Sequence, residues 1–173
     1  MKVTLKPLGD VDVGLVEELG EKVARVFCCP VGVEAGFSHL ADAYNPGREQ
    51  YLASKLLNSL SILPVEREER IVGVVEVDLY APGLKFVFGE ADVNAGRAIV
   101  SLCRLKQEYY GLPMDRGLLM ERATKEIVHE LGHTFGLGHC PNARCIMHFS
   151  NSLADTDWKN VDFCPGCHPR IIQ

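Results

Sequence analysis

Val3 and Leu5 alternate with polar neighbours until Pro7 and Gly9 interrupt them, a pattern that predicts a short first strand. Leu15, Leu19, Val23 and Val26 then recur at helical spacing, and Asp10 or Asp12 stands where a helix N-cap is needed. Residues 30–36 (PVGVEAG) predict a second short strand. After the turn signal Asn45-Pro46-Gly47, the spacing of Leu52, Leu56, Leu57 and Leu60 predicts a helix that Pro64 ends. The charged run 66–70 (EREER) is expected to be a solvated loop. Residues 71–79 (IVGVVEVDL) are dense in β-branched side chains and make the clearest strand. Ala81-Pro82-Gly83 turns the chain into 84–91 (LKFVFGEA), and a glycine-containing link leads to 97–105 (RAIVSLCRL), two further predicted strands. From Asp115 to Phe135 the pattern is helical, with Leu119, Ala123, Ile127 and Leu131 on one face; Pro113 and Asp115 mark the start and Gly136 the end. An early helix, a central cluster of strands and a late long helix predict an α/β (α+β) protein with helices packed on a mixed sheet. With no repeat, low-complexity tract or linker, residues 1–173 are expected to form one domain.

Composition narrows the function classes. Apolar residues make up 47% of the 173, enough for a sizeable core. A net charge of −5 without a long Lys/Arg run argues against nucleic-acid binding, which rests on clustered positive charge. No segment approaches the roughly 18 apolar residues of a membrane span. The opening MKVTLKPLGDVDVG has no apolar core of the kind a signal peptide carries. A cytoplasmic location is therefore expected. Seven cysteines in a reducing compartment point to metal binding before disulfides. Cys28, Cys29 and Cys103 read as buried apolar residues, and His39 and His168 as surface histidines.

The candidate chemistry lies in residues 129–139 (HELGHTFGLGH). Residues four apart share a helix face, so His129 and His133 can hold one ion, while Glu130 projects beside them without ligating it. Gly136 sits where the chain must leave the helix sharply, and the turn brings His139 round as a third ligand. Three protein ligands leave a fourth tetrahedral position to water, which Glu130 can deprotonate. Chance would produce these five positions in about one chain in 10^5 of this length. Beyond Gly138 the tail has few periodic segments but contains Cys140, Cys145, Cys164 and Cys167. A CxxxxC pair and a CxxC pair separated by 18 residues make a plausible closed four-cysteine zinc site, with iron or two disulfides as alternatives. Metal binding there would order a tail that lacks a core of its own.

HELGHTFGLGH resembles the extended zinc signature of metzincin peptidases, and Met147 resembles the methionine of their Met-turn. Cys140 directly after the third histidine, Cys145, and Cys164-Pro165-Gly166-Cys167 resemble the archaemetzincin family in particular. The resemblance implies a twisted mixed sheet of about five strands, an active-site helix ending at a glycine turn, and a small zinc-stabilised C-terminal subdomain. On this reading residues 1–138 form the N-terminal subdomain and 139–173 the C-terminal one. It also implies a zinc-dependent metallopeptidase with two zinc ions per chain. The catalytic zinc falls to His129, His133 and His139, with Glu130 as general base. The structural zinc falls to Cys140, Cys145, Cys164 and Cys167. Aminopeptidase and endopeptidase action both stay open, and the alternative is a catalytically quiet two-zinc binding or regulatory protein. The expected partner is a peptide or protein substrate, laid along an edge strand near Lys85 to Ala91, and the chain is expected to be a monomer. Unlike metzincins that carry an inhibitory prosegment, this sequence opens on a predicted strand. His148, Tyr109 and Tyr110 are candidates to stabilise the oxyanion.

Overall fold

The computed structural model describes residues 1–62 and 69–171. Its main sheet has the order β2-β1-β5-β8-β7, where β1 is Lys2–Pro7, β2 Val31–Val33, β5 Glu69–Val75, β7 Gly89–Asp92 and β8 Arg97–Ser101. The first four of these strands pair in parallel, and β7 runs antiparallel to β8 at the edge. The sheet is therefore mixed and five-stranded, as expected. A smaller sheet joins β3 (Tyr44–Asn45), β4 (Gln50–Leu52) and β6 (Leu79–Tyr80). The Asn45-Pro46-Gly47 turn signal falls in the hairpin between β3 and β4.

Helices cover both faces of the main sheet. On one lie α1 (Val13–Phe27) and α3 (Arg116–Thr134), which bury Leu15, Leu19, Val23, Ala123, Ile127 and Leu131 against Val72, Val74, Ala98 and Val100. On the other lies α2 (Ala53–Ser59), whose Leu56 and Leu57 meet Ile71, Val75 and Ile99. The period-2 alternation of β5 and β8 thus feeds two cores at once. The N-cap of α1 is Asp12, whose side chain accepts from the Gly14 N–H at 2.9 Å. Asp115 caps α3 by accepting from Leu118 N–H.

Several boundaries differ from the expectation. Glu69 and Arg70 belong to β5, because Glu69 accepts a hydrogen bond from Thr4 Oγ1 and bonds Lys2 across the β1–β5 pair. Pro64 and the rest of the charged run lie outside the described residues. The segment expected as one strand over 71–79 breaks after Val75, and Leu79–Tyr80 pairs with β4 instead. Of 84–91, only the portion from Gly89 joins the main sheet. Leu84 and Lys85 direct their carbonyls to Arg48 Nη2, and Gln50 Nε2 also reaches Lys85. The strand over 97–105 stops at Ser101 and continues as a 3-10 turn, Cys103–Leu105. Cys28 is exposed and Cys29 and Cys103 are half-buried, against the buried placement expected for all three. Cys28 is the left-handed C-cap of α1 (φ 50°), so it turns outward just past buried Phe27. His39 and His168 are exposed, as expected.

Candidate active site

Helix α3 sets the geometry of the cleft. Glu126, His129, Glu130 and His133 stand at i, i+3, i+4 and i+7 and so share one face. The helix ends at Phe135, and Gly136 takes φ +80°. The N–H groups of Gly136 and Leu137 then bond the carbonyls of His133 and Gly132, at 2.8 and 3.1 Å. This paired ending needs a left-handed residue, which glycine supplies without strain. It reverses the chain within a few residues and carries His139 back to the helix.

One ring nitrogen from each of His129, His133 and His139 lies within 4.8 Å of the others, a group able to hold a metal ion. The Nε2 atoms of His129 and His133 are 3.1 Å apart. Zinc–nitrogen bonds of about 2.0–2.1 Å put two tetrahedral ligands roughly 3.3 Å apart, so the donor set fits zinc. Both imidazoles are oriented by their other nitrogens: His129 Nδ1 donates to Ile146 O (2.7 Å) and His133 Nδ1 to Leu137 O (2.8 Å). Burial first, then the Lys159 ammonium, hold His129 well below the ordinary imidazole range. His133 and His139 are lowered too, mainly by burial. Neutral imidazole is the form that binds metal.

Glu130 is buried beside these rings. Desolvation pushes its carboxyl well above the usual range, Glu126 and Glu90 add to this, and Lys159 opposes it. A cation held by the adjacent imidazoles would act in the same sense as Lys159, favouring the carboxylate. The edge strand approaches closely at this point. A Cβ on Gly89 would lie 2.7 Å from Glu130 Cγ and 2.8 Å from its Oε1. Under α3, Met147 is fully buried and packs so tightly that a side chain on Gly132 would collide with its Sδ. The Met147 segment also supplies the Ile146 carbonyl that orients His129.

Cys140, Cys145, Cys164 and Cys167 bring their sulfurs within 4.8 Å of one another. The Cys140 and Cys164 sulfurs are 3.8 Å apart, too far for a disulfide. Zinc–sulfur bonds of about 2.3 Å give a tetrahedral edge near 3.8 Å, so this set also fits zinc. Burial opposes ionisation of Cys164, yet the N–H groups of Gly166 and Cys167 and the neighbouring thiols outweigh it and draw the thiol down to about 7. Burial and the same thiol contacts push Cys167 up. One backbone bond, Cys140 N–H to Met147 O at 2.9 Å, ties this cluster to the Met147 turn.

A cavity of about 600 Å³ opens over the three histidines. Its far wall is the run 81–91 with the edge strand β7, and its near wall is Phe149, Ser150 and Asn151. Tyr109 and Tyr110 do not line it: their rings meet edge to face and Tyr110 Oη donates to Arg104 O. His148 points its Nδ1 at Cys140 O, 2.9 Å away, and does not line the cavity either. Glu126, which the sequence reading did not single out, does line it. Its spacing from Glu130 on a helix was the available signal.

Comparison with known proteins bears directly on this arrangement. Residues 19–173 match peptidase family M54. An archaemetzincin of Pyrococcus furiosus is 45% identical over 99% of this chain and 92% of its own length. One of Methanocaldococcus jannaschii is 42% identical over 99% and 93%. A zinc-dependent peptidase from Methanocorpusculum labreanum superposes with a TM-score of 0.90 at 34% identity, covering 98% of this chain and 99% of the other. A crystal structure of the archaemetzincin of Archaeoglobus fulgidus, complexed with malonate, gives 0.83 at 39% identity, with the same coverage.

Proposed function

The chain belongs to peptidase family M54 and is a zinc metallopeptidase; from that premise we propose that His129, His133 and His139 hold the catalytic zinc and that Glu130 is the general base. The observation that carries this reading is the convergence of three imidazoles, two of them oriented by backbone carbonyls, with the buried Glu130 side chain in one cavity. Zinc in this site supplies Lewis acidity to the scissile carbonyl and acidity to an attacking water. Glu130 accepts the proton of that water and delivers it to the leaving amine. The backbone of Gly89 comes so close to Glu130 Cγ and Oε1 that no side chain fits between them, which supports a constrained position for the base. The free edge of β7 pairs with an extended peptide and holds it across the cleft, a reading supported by its edge position and by its place in the cavity wall.

Cys140, Cys145, Cys164 and Cys167 hold a second zinc that has no open position, giving two zinc ions per chain. Met147 forms the Met-turn, supported by its burial beneath Gly132 and by the neighbouring Ile146 bond to His129. Residues 1–138 and 139–173 form two lobes of one catalytic domain; the core that joins Ile146, Met147 and Phe163 to α1 and α3 supports this. Metal analysis of protein purified without added metal should give two zinc ions per chain. Glu130→Gln should keep both and reduce peptide hydrolysis at least about 10²–10⁴-fold. Unchanged turnover in that variant would refute the assignment of the base.

A further inference from the structure

Four carboxylates or hydroxyls line or flank the cavity, and the role given to Glu130 leaves Glu126 unexplained. Glu126 lies one turn before His129 and Glu130 on the same face of α3 and is 3% exposed. Its two oxygens are in different situations. Oε1 accepts from Thr156 Oγ1 at 2.9 Å and from Lys159 Nζ at 3.3 Å, and both of those residues are 0–2% exposed. Oε2 receives no hydrogen bond among the described residues, and the residue's opening is the cavity it lines. Ser150 lines the same cavity, and its Oγ is buried and has no hydrogen-bond partner. The rest of its wall is Asn151 and Phe149, whose ring lies tilted against His139 with centroids 4.8 Å apart.

We propose that Glu126 Oε2, together with Ser150 Oγ of the same cavity, forms a specificity subsite for a long nitrogen-donor side chain, that of Gln, Lys or Arg, next to the scissile bond. The inference rests on the peptidase reading above and deepens it. A carboxylate oxygen that opens only to the cavity loses its solvent when a substrate side chain fills that space; a substrate N–H replaces the lost contact, while an aliphatic side chain leaves it unmet. Length matters because Glu126 sits one helical turn, about 5.4 Å along α3, from the proposed base Glu130. Asn and Ser side chains stop short of that distance. Thr156 and Lys159 pin Oε1, so the carboxylate cannot swing away to solvent, and the subsite is preorganised.

A purely structural Glu126 would serve only to tie α4 (Leu153–Trp158) and Lys159 to α3. The test separates the two roles. The zinc-loaded wild type, Glu126→Gln and Ser150→Ala are given a peptide series that varies one residue at a time around a cleavable bond. In parallel, calorimetry measures binding of dipeptide hydroxamates bearing Gln, Lys, Arg, Leu or Met, a readout that needs no turnover. The wild type should favour the nitrogen donors over Leu and Met by about tenfold or more in kcat/KM and in hydroxamate affinity. Glu126→Gln should shrink that ratio toward one, and Ser150→Ala should reduce it with little effect on thermal stability. Equal ratios in wild type and Glu126→Gln would overturn the proposal, even if the variant were less stable. Absent cleavage together with a donor preference in hydroxamate binding would sink the peptidase reading and leave the subsite standing. Cleavage or binding that favours Leu and Met would overturn the subsite alone.

Discussion

Gly89→Ala places a methyl group at a crowded point of the active site, against the proposed base. The new Cβ would stand 2.7 Å from Glu130 Cγ, 2.8 Å from Glu130 Oε1 and 2.7 Å from the Ile99 carbonyl. Ordinary contacts lie near 3.5–4.0 Å, so the carboxylate, the edge strand or both must move by about 1 Å. The Ile99 carbonyl belongs to the β7–β8 ladder and resists movement, which leaves the Glu130 side chain as the softer partner. Overpacking of this kind costs about 1–3 kcal/mol of stability. For a chain of this length that lowers the thermal midpoint by about 2–12 °C. A displacement near 1 Å at a catalytic group costs about 10²-fold in rate. Steady-state kinetics of the zinc-loaded variant should therefore show kcat down about 100-fold, with two zinc ions retained. Combining it with Glu130→Gln should add little, because both changes act on one proton transfer. A Gly89→Ala enzyme with normal kcat, or one whose loss multiplies fully with that of Glu130→Gln, would refute the idea that this glycine positions the base.

Three further outcomes follow from the same structure. Cys164→Ser should reduce the metal content from two zinc ions to one and lower the thermal midpoint by about 8–16 °C, corresponding to a loss near 4 kcal/mol; metal analysis and calorimetry on one preparation check it. Asp12→Ala removes the cap that accepts from Gly14 and should cost about 1 kcal/mol in chemical denaturation while leaving peptide hydrolysis unchanged. In metal-stripped protein the three depressed imidazoles refuse protons that the unfolded chain accepts below about pH 6.5, so stability should fall on acidification from pH 7 to 5. Glu130 and Glu90, both raised in the folded state, take up protons early and work against that trend, and the expectation is that the three imidazoles set its sign. A midpoint that rises over that range would show the sign to be wrong.

Much of the site was legible because its chemistry is local in sequence. His129, Glu130 and His133 need only helical spacing, and Gly136 announces the turn that returns His139. The four cysteines were readable as a group from two short pairs, although only the fold brings the pairs together. The strand boundaries were less legible. β3, β4 and β6 have two or three residues each, too few for a period to register, and hydrogen bonds from Arg48 and Gln50 hold the segment before Gly89 out of the main sheet. Glu69 looked like part of a solvated charge run because its partners, Thr4 and Lys2, lie on a strand far away in sequence. Lys159 and Glu126 were hidden for a related reason: a fully buried lysine is unreadable until its carboxylate partner, 33 residues earlier, is placed beside it.

The parallel pairing of β1 with β5 has a consequence for how the molecule is made. Thr4 meets Glu69 across 65 residues of chain, and parallel neighbours joined by such crossovers gain their contacts only after a costly loop closure. On a ribosome, β1 waits for β5, both wait for β8, and α3 settles on the sheet only after β8 has emerged. Two of the three histidines are then in place while the third and all four cysteines are still being synthesised. Under the proposed zinc assignment, metal capture would come last in assembly, and until then the thiols of the nascent tail would stand unprotected.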